Sequence, residues 1–279
     1  SEPFAMTYLT LLELGIVLLY LLGVILLLAG MLGQNRTLEK FSLAITVLGF
    51  VLQSADIGIQ ALGFGELALL QQRFYFNLLA WTLMLIYLVL WWKMKLQLLA
   101  LIAAPLALIF YASSIALNTQ QISVPEQLSG LWFSLHIGTL FLSFSLMAMA
   151  FGAGAAYLYI ERKIKTKTRL EGFQRDLPSL TTFDRVNHWA VSIGFPLFTL
   201  GLLAGFLWAR FTWGHLFSWD PKEVATLFIW VLYGFLFHQR MALGWKGRKP
   251  ARLAIWVFTL TVISLVGVNF LLPSHHSFQ

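Results

Sequence analysis

The sequence predicts an all-α integral membrane protein, a bundle of about eight transmembrane helices with no large soluble domain. Three observations predict this fold class. Hydrophobic residues make up 59% of the 279 residues, charged residues only 11%, and the mean hydropathy is +0.77. A soluble domain needs far more charge to cover its surface. Apolar runs of roughly 20 residues, the length that crosses a bilayer, recur along the chain.

Short polar or basic connections separate the eight predicted spans. The spans lie near residues 8–32, 41–62, 74–92, 96–116, 131–160, 188–209, 223–243 and 253–272. Between the third and fourth spans only Lys93 and Lys95 mark a turn, so one long re-entrant segment is the alternative there. The longest connection, 163–187, is basic and has about 25 residues, which leaves no room for a soluble domain.

The distribution of Lys and Arg predicts the orientation. With the N-terminus outside, all but three of the 19 Lys and Arg fall on inner connections, the exceptions being Arg73, Arg210 and Lys222. Basic residues collect on the cytoplasmic side of membrane proteins. We therefore expect both termini and the Trp-rich connection 211–222 to face outside. The net charge of +7 then reflects topology and a lipid bilayer as partner, and no nucleic-acid partner is expected.

Small residues predict how the helices pack, and the lack of cysteine excludes thiol chemistry in this chain. Ala148, Gly152 and Ala156 form one stripe at helical spacing and Gly201 with Gly205 a second, which predicts close helix packing. With no cysteine the chain cannot act through a thiol, so any thiol chemistry belongs to a partner.

Two acidic residues lie in the outer halves of the first two predicted spans. Glu13 and Asp56 are costly at that depth unless they face a wet cavity or a hydrogen-bond donor. The sequence assigns them no role.

The outer connection reads Trp213-Gly-His-Leu-Phe-Ser-Trp-Asp-Pro-Lys-Glu223. The alternative interpretation is an interfacial aromatic belt, which accounts for a Trp or two. It does not account for Trp219-Asp220-Pro221 followed at once by a charged pair. We expect Asp220 to cap the seventh helix, with Pro221 at its first position. A loop fixed to a helix start in this way suits the binding of a flat aromatic ligand.

From about residue 131 to the C-terminus the chain resembles the CcsA/ResC family of cytochrome c biogenesis proteins, known for its WWD domain. The resemblance is carried by Gly194-Phe-Pro-Leu-Phe-Thr-Leu-Gly201, Trp208, the segment 213–223 and Trp230 with His238. It implies four N-terminal helices in residues 1–130 and a cytochrome c assembly domain in residues 131–279. It also implies a bacterial inner-membrane protein whose outer loop binds haem b.

The resemblance implies contacts from the loop to haem. The residues that match are Trp213, Gly214, Phe217, Trp219 and Asp220. The family has a tryptophan where this chain has Phe217, and His215 is an added polar group. Phenylalanine can stack on a porphyrin but has no indole N–H to donate, so one polar contact of the family is in doubt.

Two histidines flank the loop in the family and bind the haem iron. Trp132 with His136 resembles the first context, and Asn269 with His276-Ser277-Phe278 resembles the second. Both histidines lie at the outer ends of predicted spans, level with the loop, where two imidazoles give a six-coordinate iron. The alternatives are solvated interfacial histidines, or His275 in place of His276.

Cations beside the loop would bind the haem propionates. Arg73 and Arg210, together with Lys222, fall at outer helix ends near the proposed site. An Arg fork binds a carboxylate at two points. The alternative role for these residues is simple anchoring at the interface.

A third histidine of the family is matched by His238. It lies fifteen residues into the seventh predicted span, about 22 Å from its outer end by helical rise, where an ionisable residue is a functional candidate. His188, which is not part of the family pattern, starts the sixth predicted span at its inner end. We hypothesise that His188 and His238 bind a second, inner haem, although in the family a partner protein is implied to supply one ligand there. The sequence therefore leaves open one haem or two.

Three functions are compatible with these features. The leading hypothesis is haem transport and presentation for covalent attachment to apocytochrome c. By resemblance, the chain would then be one component of a thioether-forming holocytochrome c synthase of the System II type, with a membrane partner of the CcsB/ResB type. The second is a HemX-like haem-binding regulator of tetrapyrrole synthesis. The third, a transporter for another substrate, lacks the broken inverted-repeat helices that we would expect.

Overall fold

The computed structural model describes residues 2–64, 71–116, 131–214 and 216–271. Within them eight α-helices follow one another, and each is long and apolar enough to cross a membrane. They are α1 (Glu2–Leu32), α2 (Arg36–Phe64), α3 (Gln72–Met94), α4 (Ala100–Ala116), α5 (Leu131–Lys165), α6 (Leu180–Trp213), α7 (Pro221–Met241) and α8 (Arg248–Leu271). The predicted fold class and the eight spans are confirmed: the chain is a multi-pass, all-helical membrane protein.

The third and fourth spans are separate helices. α3 ends at Lys95, whose φ of 57° is left-handed and whose N–H donates to the Trp91 carbonyl. A 3₁₀ helix, Gln97–Leu99, then leads into α4. This break excludes the single re-entrant segment that the sequence left open.

The predicted connection between the fifth and sixth spans is wrong. α5 continues to Lys165, and α6 begins at Leu180, where the Ser179 side chain accepts a hydrogen bond from the Thr182 N–H. Only residues 166–179 lie between the two helices, and they include a 3₁₀ helix at Gly172–Asp176. His188 therefore does not start the sixth helix but lies about two turns inside it.

One compact unit, called here unit 1, comprises residues 1–123 and 170–177. Its helices form a ring in which each packs on its neighbours in sequence and α4 closes against α1. Apolar side chains such as Ile16, Leu83 and Tyr87 fill the interior. The interior also contains several buried polar side chains, considered below.

The second compact unit, unit 2, comprises residues 124–169 and 178–279. α5 packs on α6 and α8, and α7 joins α6 to α8. Ala148 and Gly152 of the predicted small-residue stripe are buried. At Gly154 of α5 the α8 backbone comes so close that an added Cβ would lie 2.8 Å from the Ala251 carbonyl oxygen. The missing side chain of Gly154, which is not a member of the predicted stripe, therefore sets the spacing of α5 and α8 at this point.

Candidate functional site

The Trp-rich loop is fixed at both ends in unit 2. α6 stops at Gly214, whose φ of 78° is left-handed and whose N–H donates to the Arg210 carbonyl over 3.0 Å. α7 starts at Pro221, and the Asp220 carboxylate accepts a hydrogen bond of 2.9 Å from the Lys222 N–H. The predicted cap by Asp220 is confirmed.

A second carboxylate, missed by the sequence analysis, holds the loop from α7. The Glu223 carboxylate accepts hydrogen bonds from the N–H and the hydroxyl of Ser218, at 2.7 and 3.0 Å. Both Asp220 and Glu223 are buried. The spacing Asp-x-x-Glu at a helix start resembles a capping box, and this signal could have identified Glu223.

The loop presents an exposed tryptophan on a strained backbone. Trp219 has a φ of 61°, in the left-handed region, and 79% of it is exposed. This conformation costs a bulky residue about 1–2 kcal/mol, and such strain persists where the surrounding structure enforces it, often at functional sites. The contacts that enforce this conformation are the hydrogen bond from the Lys222 N–H to Asp220 and the one from the Ser218 N–H to Glu223.

Phe217 joins Trp219 to α6. Its ring meets that of Trp219 edge-on, with centroids 5.0 Å apart, and that of Phe206 in α6 with centroids 6.0 Å apart. The loop thus carries an aromatic pair seated on α6. Phe217, which replaces a family tryptophan, keeps an aromatic contact at this position.

His136 of α5 is held in one orientation by α6. Its Nδ1 lies 2.7 Å from the Gly201 carbonyl oxygen. A carbonyl can only accept a hydrogen bond, so Nδ1 carries the hydrogen, and in a neutral imidazole Nε2 then carries the lone pair. A histidine that binds a metal through one nitrogen commonly donates the other N–H to a backbone carbonyl in this way.

The imidazole of His136 lies in a slot formed by the two glycines of the predicted stripe. A Cβ at Gly205 would lie 2.6 Å from Nδ1 and Cε1 of His136, and one at Gly201 would meet Thr139 and Leu140 at 2.7 Å. The predicted close packing at Gly201 and Gly205 is confirmed. Gly205, which contacts His136, precedes Phe206, which contacts Phe217, so neighbouring residues of α6 contact His136 and the aromatic pair of the loop.

Several predicted site residues are not tested. His276, its alternative His275, and His215 lie outside the described residues, as does the side chain of Trp213. The pairing of His136 with His276 stays a prediction. Arg210 is exposed, and its guanidinium donates one N–H to the Gly214 carbonyl. Binding of a haem propionate by the Arg210 guanidinium stays a prediction.

Arg73 lies in α3 and belongs to unit 1. It is buried, forms an ion pair with Glu13, and its Nη2 is 3.9 Å from Oδ1 of Asp56. Its guanidinium therefore contacts carboxylates of its own unit, and a contact with a haem propionate stays a prediction.

At the other end of unit 2, an ion pair fixes the register of α6 on α7. Nη1 of Arg240 lies 2.9 Å and Nη2 3.1 Å from the two carboxylate oxygens of Asp184, and the Gly247 N–H donates to the same carboxylate over 2.8 Å. About two turns further on, the Tyr233 hydroxyl donates to the Ala190 carbonyl over 3.1 Å. These contacts align α6 and α7 as antiparallel neighbours.

The register brings His188 and His238 to similar depths. His188 follows Asp184 by one turn of α6, and His238 precedes Arg240 by two residues in the last turn of α7. Both side chains are exposed on the surface of unit 2. Their joint binding of an inner haem stays a prediction.

Comparison with known proteins identifies the family. The family model for "Cytochrome C assembly protein" matches residues 71–276. The cytochrome c biogenesis protein CcsA of Trieres chinensis is 30% identical over 231 residues, covering 72% of this chain and 74% of the relative. The CcsA of Microcystis aeruginosa is 28% identical over 263 residues, or 77% of this chain and 80% of the relative.

A shorter stretch is more similar still. The CcsA of Synechocystis is 43% identical over 97 residues, which cover 35% of this chain and 29% of the relative. The family match covers most of the chain and includes the Trp-rich loop and His136. The chain therefore belongs to the cytochrome c assembly protein family and is a CcsA-type cytochrome c biogenesis protein.

Proposed function

We propose that the chain binds haem at the outer face of unit 2 and presents it for covalent attachment to apocytochrome c. The observation that carries this proposal is the fixed imidazole of His136, whose Nδ1–H is committed to the Gly201 carbonyl and whose Nε2 is the nitrogen suited to bind iron. Phe217 contacts Phe206, the residue next to Gly205 on α6, and Trp219 contacts Phe217.

The chemistry of these residues fits haem as a cargo. Haem is a flat apolar macrocycle with an iron at its centre and two anionic propionates at its edge. His136 would bind the iron, with His276 as its proposed second ligand, and Trp219 would stack on the macrocycle. Arg210 would bind a propionate, and Trp213 and Gly214 complete the proposed contact surface.

The thiols for the covalent step would come from the apocytochrome. Bound haem supplies vinyl groups, and a cysteine thiol of the apocytochrome adds across each one to give a thioether. This chain contains no cysteine, so its own part is to bind and orient. As a component of a holocytochrome c synthase it would need a membrane partner of the CcsB/ResB type.

The proposed location is a bacterial inner membrane, with both termini and the Trp-rich loop on the outer face. The asymmetry of Lys and Arg supports this orientation. A second haem at the inner end would use His238 and His188, and their similar depth and exposure support that assignment. The HemX-like regulatory alternative is not favoured, because the relatives described above are all biogenesis proteins.

The test is the absorption spectrum of the purified full-length chain after haem loading. We expect a low-spin, six-coordinate spectrum from His136 with His276. His136→Ala should lose this outer ligation, and His188→Ala serves as its matched control because it should change only the inner haem. Wild-type protein that binds no haem would overturn the proposal, and unchanged ligation in His136→Ala would remove His136 from the site.

A further inference from the structure

Unit 1 contains a cluster of buried polar side chains contributed by all four of its helices. This outer polar cluster is at most 9% exposed at any member and comprises Glu13 of α1, Asp56 and Gln60 of α2, Arg73 and Asn77 of α3, and Tyr111 of α4. Ionisable groups at membrane depth are costly and by default indicate function. None of them is needed for the haem site proposed above, apart from the predicted propionate contact of Arg73.

The charges of the outer polar cluster do not balance. Glu13 and Arg73 form an ion pair, which leaves the carboxyl group of Asp56. Arg73 approaches Oδ1 of Asp56 only to 3.9 Å, too far for a hydrogen bond. With both carboxyl groups ionised, the cluster would carry one negative charge in excess, in a place where a lone buried charge is strongly disfavoured.

The hydrogen bonds to Asp56 all fall on one of its oxygens. Oδ2 accepts from Nδ2 of Asn77 at 2.8 Å, from the Tyr111 hydroxyl at 3.0 Å and from Nε2 of Gln60 at 3.1 Å. Oδ1 receives no hydrogen bond from the described part of the chain.

A second oxygen, on a residue that is hydrogen-bonded to Asp56, is in the same situation. Gln60 is 5% exposed, its amide is bonded to Asp56 through Nε2, and its Oε1 has no hydrogen-bond partner among the described residues. A buried acceptor left without a donor costs about 1–3 kcal/mol. Independently of the charge count, these two oxygens, on residues that are hydrogen-bonded to each other, therefore indicate a missing donor.

We propose that the outer polar cluster is a proton-binding site, in which Oδ1 of Asp56 carries the proton and donates it to Oε1 of Gln60. One proton taken up from water forms one O–H bond and removes the excess negative charge. The same proton gives both oxygens a partner. The acid and the amide then form two hydrogen bonds in opposite directions, with Nε2 of Gln60 donating to Oδ2 and Oδ1 of Asp56 donating to Oε1.

The outer polar cluster lies near one end of the helices of unit 1. Arg73 is in the first turn of α3, and Asp56 lies about 12 Å by helical rise from the end of α2 at Phe64. This is the end of unit 1 that the distribution of Lys and Arg predicts to face outside. The proton would exchange with the outer aqueous phase, and Arg73, which stays protonated and lies between Glu13 and Asp56, does not relay it.

A monovalent metal ion is the competing ligand for the same two oxygens. The Arg73 guanidinium, 3.9 Å from Oδ1, disfavours a metal cation, which would also need several more oxygen ligands. A proton needs only the two oxygens that are already present.

Infrared spectroscopy of the full-length chain at neutral pH tests the proposal. We expect a C=O stretch of a protonated carboxylic acid that is lost in Asp56→Asn. Asp176→Asn is the matched control, because it removes a half-exposed carboxylate of the same unit and should retain the band. Gln60→Met should shift the band to higher frequency, because the acid loses its acceptor.

The other outcomes of this experiment also test whether Asp56 carries the proton. Absence of the band in wild-type protein, or its loss on adding sodium ions, would overturn the assignment to a proton on Asp56. If Asp56→Asn does not fold, wild-type protein labelled with ¹³C-aspartate must show the isotope shift of the band. A shift with ¹³C-glutamate instead would overturn the proposal.

Discussion

The two units place their polar side chains in opposite ways. In unit 1, Asp56 and Asn77 are fully buried, and polar groups of four helices meet in the interior. In unit 2 the charged groups lie at the helix ends, where Asp220 caps α7 and Asp184 pairs with Arg240, while His188 and His238 are exposed. A closed cluster suits a ligand as small as a proton, whereas an open surface suits one as large as haem.

The largest expected effect on stability distinguishes the buried ion pair of unit 1 from an exposed ion pair in the same unit. Arg73→Met would leave the Glu13 carboxylate buried and unpaired, which should destabilise the chain by about 3–5 kcal/mol. Arg36→Met is the control, because Arg36 pairs with Glu39 and Asp176 at an exposed position and should cost at most about 1 kcal/mol. Thermal unfolding in detergent measures both. If Arg73 also binds a propionate, haem affinity measured at low temperature on folded protein will fall as well.

A smaller effect is expected at the slot that holds His136. Gly205→Ala places a Cβ 2.6 Å from the imidazole, so the ring must move, at a cost of about 1–3 kcal/mol, and the haem spectrum should change. Gly138→Ala is the matched control on α5, since a Cβ there meets nothing within 4 Å. Identical spectra for the two variants would show that the slot does not position the ligand.

The cap of α7 should contribute less. Asp220→Ala removes the acceptor for the Lys222 N–H and should destabilise the chain by about 1 kcal/mol, while Asp220→Asn retains a capping oxygen and most of the stability. Comparing thermal midpoints with haem affinity shows whether Asp220 acts beyond its cap. Loss of haem in Asp220→Asn at unchanged stability would indicate a direct contact.

The smallest effect has the opposite sign. Trp219→Gly relieves the left-handed backbone and should stabilise the chain by roughly 0.5–1 kcal/mol, while it weakens haem binding by removing the stacking surface. Lys95→Gly, at a φ of 57°, provides the control for backbone relief without loss of an aromatic ring. Unchanged haem affinity in Trp219→Gly would remove Trp219 from the proposed contact surface.

The spans and the cap of α7 could be predicted because they depend on local signals. Runs of apolar residues define the spans, and Asp220 followed by Pro221 identifies a helix start. The first two turns of α6 were missed because residues 180–187 are mostly polar, and their helix is stabilised by the pair of Asp184 with Arg240 from another helix.

Contacts between distant residues could not be predicted in the same way. The bond from His136 to Gly201 depends on the register of α5 against α6, and the pairing of Arg73 with Glu13 joins residues 60 positions apart. The sequence identified Glu13 and Asp56 as costly but contained no signal for their partners. Binding of the outer haem iron by His276 together with His136 stays a prediction.

The three side-chain contacts between α6 and α7 also have a mechanical consequence. Asp184 with Arg240, Ala190 with Tyr233, and Thr199 with Trp230, whose indole N–H donates over 3.0 Å, bridge about 22 Å of α6. Two helices joined at three heights cannot slide past each other without breaking all three joints. A push at the Arg240 end of this helix pair is therefore transmitted along it to the aromatic loop as a tilt of the whole pair.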